Sequence, residues 1–219
     1  MILKNAVVNF LGDSITQGVG ASSVEKRYTD VLEREFELKK ANNYGISGTR
    51  FARQKQITDS PFDLDFCMRV SEMDESADAV VVFGCTNDFG HGDAAIGTPA
   101  DRTPETFYGA CHYLMNELLN RYCGKPILLI SPLHRLDEDN PRGSGDRKPE
   151  PVAPLSEYRR ILLEVAGHYA LPVLDLYAES GIQPANEICR EKLLPDGLHP
   201  NDQGHALLAR LIGNKLKML

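Results

Sequence analysis

The sequence predicts an α/β fold in which a parallel sheet of about five strands is layered between helices. Three observations carry this. The apolar runs at 6–11, 79–84 and 126–131 are largely unbroken rather than alternating, as in strands buried on both faces of a parallel sheet. Stretches with helical apolar spacing lie between them. Strand and helix signals alternate without an internal repeat, which favours parallel strands joined by helical crossovers.

The first strand, Ala6-Val7-Val8-Asn9-Phe10-Leu11, stops at Gly12-Asp13-Ser14, so the serine sits at a chain reversal. Tyr28, Val31, Leu32 and Phe36 then predict an amphipathic helix over 23–38. A weakly marked second strand leads through Asn42-Asn43-Tyr44 into Gly45-Ile46-Ser47-Gly48, where two glycines permit a sharp turn or a close backbone approach. Between 49 and 78 the one readable element is a helix near Phe66 to Met73. The third strand, Ala79 to Gly84, ends in Cys85-Thr86-Asn87-Asp88. Thr103-Pro104-Glu105 starts a helix striped by Phe107, Cys111, Leu114 and Leu118, with proline in its first turn. The fourth strand, Pro126 to Ser131, opens on a proline, as strands can. Pro132 to Pro154 is the longest loop, and loops of this length are functional lids or disordered segments. A helix over Ser156 to Tyr169 turns Tyr158, Ile161, Leu162 and Val165 inward, and a short strand runs from Pro172 to Leu176. Asn201 caps a final helix carrying Leu207, Leu208, Leu211 and Ile212 on one face.

At 219 residues the chain is long enough for one sizeable core, and one domain over 1–219 is expected. Hydrophobic residues make up 42% and charged residues 25%, far from the composition of disorder. A net charge of −7 argues against a general nucleic-acid or anionic-membrane surface. The five cysteines, Cys67, Cys85, Cys111, Cys123 and Cys189, form no Cys-x-x-Cys pair and read as buried free thiols in a reducing compartment. Met1 to Asn5 lead directly into the first strand without the pattern of a signal peptide, and no apolar run approaches the roughly 20 residues of a membrane span. The chain as given therefore reads as cytoplasmic.

In a parallel sheet the loops leaving the carboxyl ends of the strands share one edge, where ligands bind. Ser14, Gly48, Asn87, the 132–154 loop and Leu194-Pro195-Asp196-Gly197-Leu198-His199-Pro200 all belong to that edge. A serine nucleophile needs a base, and His199 stands in a loop that can turn its ring toward a cleft. Asp196, three residues earlier, can accept the Nδ1–H of His199 and leave Nε2 free to face Ser14. The backbone N–H groups of Ser14 and Gly48 and the side-chain amide of Asn87 can converge on a tetrahedral oxyanion. Each feature also has a plain reading: Asp-Ser as a helix cap, Asp-Gly as a turn, Asn-Asp as a turn or cap.

Taken in order, Gly12-Asp13-Ser14, Gly48, Asn87-Asp88 and Asp196-Gly197-Leu198-His199-Pro200 resemble the sequence blocks of the SGNH (GDSL-type) hydrolase superfamily, across essentially the whole chain. That resemblance implies a flavodoxin-like three-layer α/β/α fold, Ser14 as nucleophile, Gly48 and Asn87 as oxyanion donors, Asp196 and His199 completing the triad, and no metal or organic cofactor. One departure stands out. The family usually has glycine two residues before the asparagine, and here that position is Cys85, which puts the placement of Asn87 in question.

The expected activity is hydrolysis of carboxylic esters through an acyl-enzyme, with short acyl groups such as acetyl on a carbohydrate or other polar alcohol. Loops 89–103 and 132–154, rich in charge and poor in large apolar residues, favour a polar small molecule over a long-chain lipid. The alternatives are a lysophospholipase, thioesterase or arylesterase of the same superfamily, or a non-catalytic ligand-binding module. A P-loop is excluded because Gly-Lys-Ser/Thr is missing, and Gly-x-Ser-x-Gly is absent around Ser14. His91 with Asp93 and His134 with Asp137 can bind metal or line the pocket, but read first as solvated loop residues because no zinc-like spacing accompanies them; His112 and His168 read as surface or boundary residues, and His205 as structural.

Overall fold

The structure, a computed structural model, describes residues 1–219. Its centre is a five-stranded parallel sheet of β1 (Val7–Gly12), β2 (Lys40–Gly45), β3 (Ala79–Phe83), β4 (Ile127–Ile130) and β5 (Val173–Leu174), in the order β2-β1-β3-β4-β5. Helices cover both faces, giving the three-layer α/β/α architecture.

The unbroken apolar runs follow from this layering, because alternate residues of one strand enter opposite cores. Val8, Phe10, Val81 and Phe83 face the helices α2 (Tyr28–Glu35) and α9 (Asp202–Lys217). Leu11, Val80, Val82 and Leu129 face α5 (Phe107–Arg121) and α6 (Leu155–His168). Four short helices complete the chain: α1 (Ser14–Gln17), α3 (Phe66–Arg69), α4 (Thr86–Gly90) and α7 (Leu176–Glu179), with α8 (Glu187–Leu193) before the last loop.

Several elements differ from the sequence reading. The helix expected over 23–38 is a 3-10 turn, Val24–Lys26, followed by α2, because Arg27 is extended at φ −60° and ψ 146°. The fifth strand shrinks to two residues, since Asp175 leaves the sheet to begin α7. The 132–154 loop packs as an ordered wall: Lys148 Nζ donates to Asp88 O at 2.7 Å and to Tyr158 Oη at 2.6 Å, and the Val152 N–H donates to Pro141 O at 2.7 Å. His112 is buried under Tyr169 rather than at the surface, with Nδ1 3.3 Å from the Tyr169 hydroxyl. Cys67, Cys85 and Cys111 are buried, whereas Cys123 is exposed and Cys189 half-buried. Asn201 does cap α9, its Oδ1 accepting from Gln203 N–H at 3.0 Å and Gly204 N–H at 3.1 Å. No helix is long and apolar enough to cross a membrane.

Candidate active site

At the end of β1, Asp13 caps α1 by accepting the Ile15 N–H at 3.0 Å, which sets Ser14 on the first turn. The partner arrives from the far end of the chain. In the loop before α9, Asp196 Oδ1 accepts the N–H groups of Leu198 at 2.9 Å and His199 at 2.7 Å, folding the loop tightly and turning the imidazole toward the sheet. The loop after α1 anchors it. Ser22 donates its N–H and hydroxyl to Asp202 at 2.8 and 2.7 Å, and Gly20, at φ +92°, lies where a Cβ would come within 2.2 Å of Pro200 O. Only glycine permits that approach.

The result is a continuous line of three side chains. Ser14 Oγ is 3.0 Å from His199 Nε2, and His199 Nδ1 is 2.7 Å from Asp196 Oδ2. An ionised carboxylate only accepts, so Nδ1 carries the proton, donates to Asp196, and leaves the Nε2 lone pair to accept the Ser14 hydroxyl proton. Burial pushes the Asp196 carboxyl up, but the N–H donors of His199 and Leu198 and the His199 ring outweigh it and hold it below the ordinary range. Such an arrangement can strip a proton from serine and stabilise the imidazolium that forms.

Beside it lie three donors. Gly48 adopts φ +78°, where a side chain would be strained, and a Cβ there would press on the Phe62 ring at 3.2 Å. The backbone N–H groups of Ser14 and Gly48 donate to no other backbone group. Asn87 Nδ2 donates to Thr49 O at 3.1 Å, leaving its second N–H for a ligand. Asp88 locks the same two loops together by accepting the N–H groups of Phe51 and Ala52, both at 2.9 Å. Ser14, Gly48, Asn87 and His199 line one cavity of about 350 Å³, in which only Val19 and Leu198 are apolar.

Residues 10–207 match the sequence model of the GDSL-like lipase/acylhydrolase family. The chain belongs to that family. A Lactobacillus plantarum protein of known structure shares 29% identity with it at a TM-score of 0.83, covering 98% of each chain. The lipase/acylhydrolase from Enterococcus faecalis shares 25% identity at a TM-score of 0.65, over 97% of this chain and 96% of its own. A carbohydrate acetylesterase family member from Sinorhizobium meliloti has the same fold, with a TM-score of 0.64 and 17% identity over 97% of this chain and 98% of its own. No curated protein matches the sequence.

This GDSL-like chain accommodates its departure from the family pattern at a local cost. Cys85 takes φ +82°, a left-handed conformation that glycine adopts freely and other residues disfavour, and Asn87 still reaches the cavity. The thiol is buried, which pushes its pKa well above the ordinary range, and it does not line the cavity around Ser14. It is unsuited to act as a nucleophile.

His91 follows the alternative of lining the cavity and not the preferred reading of a solvated loop residue. Arg50 Nη1 donates to its Nδ1 at 2.9 Å, and Arg50 is itself tied to Asp63 Oδ1 at 2.8 Å. A guanidinium only donates, so His91 carries its proton on Nε2 and donates it to Asn87 Oδ1 at 3.2 Å. Burial and the nearby Arg50, Arg147, Arg135 and Lys148 push the His91 pKa down to about 4, so the ring is neutral. The i, i+4 spacing from Asn87 is the signal in the sequence that could have found it. Nothing in the sequence points to Arg69, whose buried guanidinium donates to Gly12 O at 3.2 Å, Thr49 Oγ1 at 2.8 Å and Tyr44 O, tying the ends of β1 and β2 together. Neither the His91 and Asp93 pair nor the His134 and Asp137 pair joins a cluster of three or more potential metal ligands, and His134 instead meets Glu138 at 2.8 Å. His205 is buried with Nδ1 accepting the Tyr28 N–H at 3.3 Å, a structural role.

Asp13 is wholly buried, and burial raises its pKa to about 7. The unfolded chain releases that proton near 3.8 and the native chain near 7, so the native state loses stability as pH rises through this interval. Asp13→Asn keeps an oxygen to accept the Ile15 N–H and carries no charge. Its unfolding free energy minus that of wild type is expected to be larger at pH 8 than at pH 4, the variant gaining relative stability by on the order of 2 to 4 kcal/mol. Denaturant titrations at the two pH values check this, and an equal difference at both would show that Asp13 is ionised at no cost.

Proposed function

We propose that the chain hydrolyses carboxylic esters through an acyl-enzyme on Ser14, acting on short acyl groups, acetyl foremost, carried by a carbohydrate or other polar alcohol. The observation that carries the reading is the 3.0 Å contact between Ser14 Oγ and His199 Nε2, backed by Asp196 at 2.7 Å. His199 takes the serine proton as Oγ attacks the ester carbonyl. The carbonyl oxygen becomes an oxyanion that accepts from the N–H groups of Ser14 and Gly48 and from Asn87 Nδ2. His199 then gives its proton to the departing alkoxide, and a water activated by the same ring releases the acid and restores Ser14.

A cavity with only two apolar lining residues supports the polar substrate, since a long acyl chain needs a greasy wall. The fold shared with a carbohydrate acetylesterase family member is consistent with that choice. Across p-nitrophenyl esters of increasing chain length, kcat/KM is expected to be highest for acetate and to fall at least about tenfold by octanoate, one lost hydrophobic fit being worth about 1–3 kcal/mol. A rise with chain length would point instead to a lipase or lysophospholipase.

A further inference from the structure

The chain carries a net charge of −7, yet the lining of the catalytic cavity includes Arg135 and Arg147 and no Asp or Glu. Arg135 is buried at 9% exposure. Its donors go to neutral oxygens, Nη1 to Thr86 Oγ1 at 2.9 Å and Thr86 O at 3.1 Å and Nη2 to the Ser144 hydroxyl, while Nε has no partner. Arg147, in the ordered 132–154 wall, is exposed and makes no ion pair or side-chain hydrogen bond within the chain. It also lines an adjoining cavity of about 580 Å³, whose wall is mixed in charge, with Lys55 and Lys148 set against Asp93 and Glu150. The carboxylates whose charge reaches Arg135 are Asp13, Asp137 and Asp196; none of them lines the cavity or forms an ion pair with Arg135, and burial pushes Asp13 up to about 7, so it is only partly ionised at neutral pH. A buried or unpaired guanidinium facing a ligand cavity is a binding group for carboxylate or phosphate oxygens.

We propose that the ester substrate bears an anionic group, a carboxylate or a phosphate, which Arg147 holds against the cationic wall backed by Arg135 while the ester lies at Ser14. The inference rests on the ester-hydrolase reading and narrows its polar alcohol or acid to a charged one. The field of two cations draws anions toward the cavity, most strongly at low ionic strength.

Matched esters differing in one charge test it. 4-Acetoxybenzoate against 4-acetoxybenzamide places a carboxylate on the alcohol side, acetylglycerol phosphate against acetylglycerol places a phosphate there, and mono-4-nitrophenyl glutarate against 4-nitrophenyl butyrate places a carboxylate on the acyl side. At low ionic strength the wild-type enzyme is expected to favour the charged member of at least one pair by tenfold or more in kcat/KM, mainly through KM. Arg147→Gln is expected to bring that ratio within about twofold, Arg147→Glu to invert it, and Arg147→Lys to retain part of it. Because Arg147 is exposed, these variants are expected to fold as wild type, checked by circular dichroism. Turnover of the neutral esters without preference for any charged partner would overturn the inference alone, as would a preference that survives Arg147→Glu. Failure to hydrolyse any ester, p-nitrophenyl acetate included, would overturn the ester-hydrolase reading and the inference with it.

Discussion

Ser14→Ala is expected to lower kcat for p-nitrophenyl acetate by about 10⁴-fold or more while leaving the fold intact, because removal of a triad nucleophile ends covalent catalysis. The side chain is 6% exposed and small, so the variant leaves no cavity to destabilise the core. His199→Ala is expected to fall to a similar level, and the double variant to be little worse than either, since the two groups move one proton and act as a unit. Such non-additivity separates a shared chemical step from two independent structural losses. Wild-type rates in Ser14→Ala would remove the serine from the mechanism.

The second large effect concerns the donors proposed to hold the oxyanion. Asn87→Ala is expected to lower kcat by about 10²- to 10³-fold, some 3 to 4 kcal/mol, as for a single lost oxyanion donor. His91 makes no hydrogen bond to Ser14; it holds the Asn87 amide through the Nε2–H to Oδ1 bond, its own ring fixed by Arg50. His91→Ala is therefore expected to cost about 10- to 100-fold in kcat with little change in KM, less than Asn87→Ala, because the amide keeps its bond to Thr49 O. In an Asn87→Ala background the same His91 substitution is expected to add little. His91→Gln, which retains a donor, is expected to recover part of the rate. A large rise in KM, or full additivity of the two losses, would mark His91 as a substrate contact or a merely structural residue.

Much of this was legible in the sequence because the signals were local. The runs at 79–83 and 127–130 are apolar at every position, and only a strand covered on both faces tolerates that, so β3 and β4 stood out. The family blocks at 12–14, 48, 87–88 and 196–200 lie at the carboxyl ends of strands or in the last loop, and parallel topology brings those ends together whatever their separation in the chain. What could not be read was pairwise. Arg27 delays the start of α2 to Tyr28 through one extended residue, and β5 shortens because Asp175 turns to meet Arg159 and Ser131. Arg69, Arg50 and His91 matter through partners that are distant in sequence or set by tautomer, and no periodicity encodes that choice. Nor did the charge of the 132–154 loop disclose its order, which depends on Lys148 finding Asp88 O and the Tyr158 hydroxyl inside the core.

The account depends on the Ser14 hydroxyl being activated by the imidazole of His199, which tertiary structure delivers across 185 positions of chain. Incubation with a fluorophosphonate, followed by peptide mass spectrometry, reads this directly. One covalent adduct on the peptide bearing Ser14 is expected, with its rate of formation reduced at least about 100-fold in folded His199→Ala. An adduct on another residue, or labelling of Ser14 at an undiminished rate without the imidazole, would contradict it.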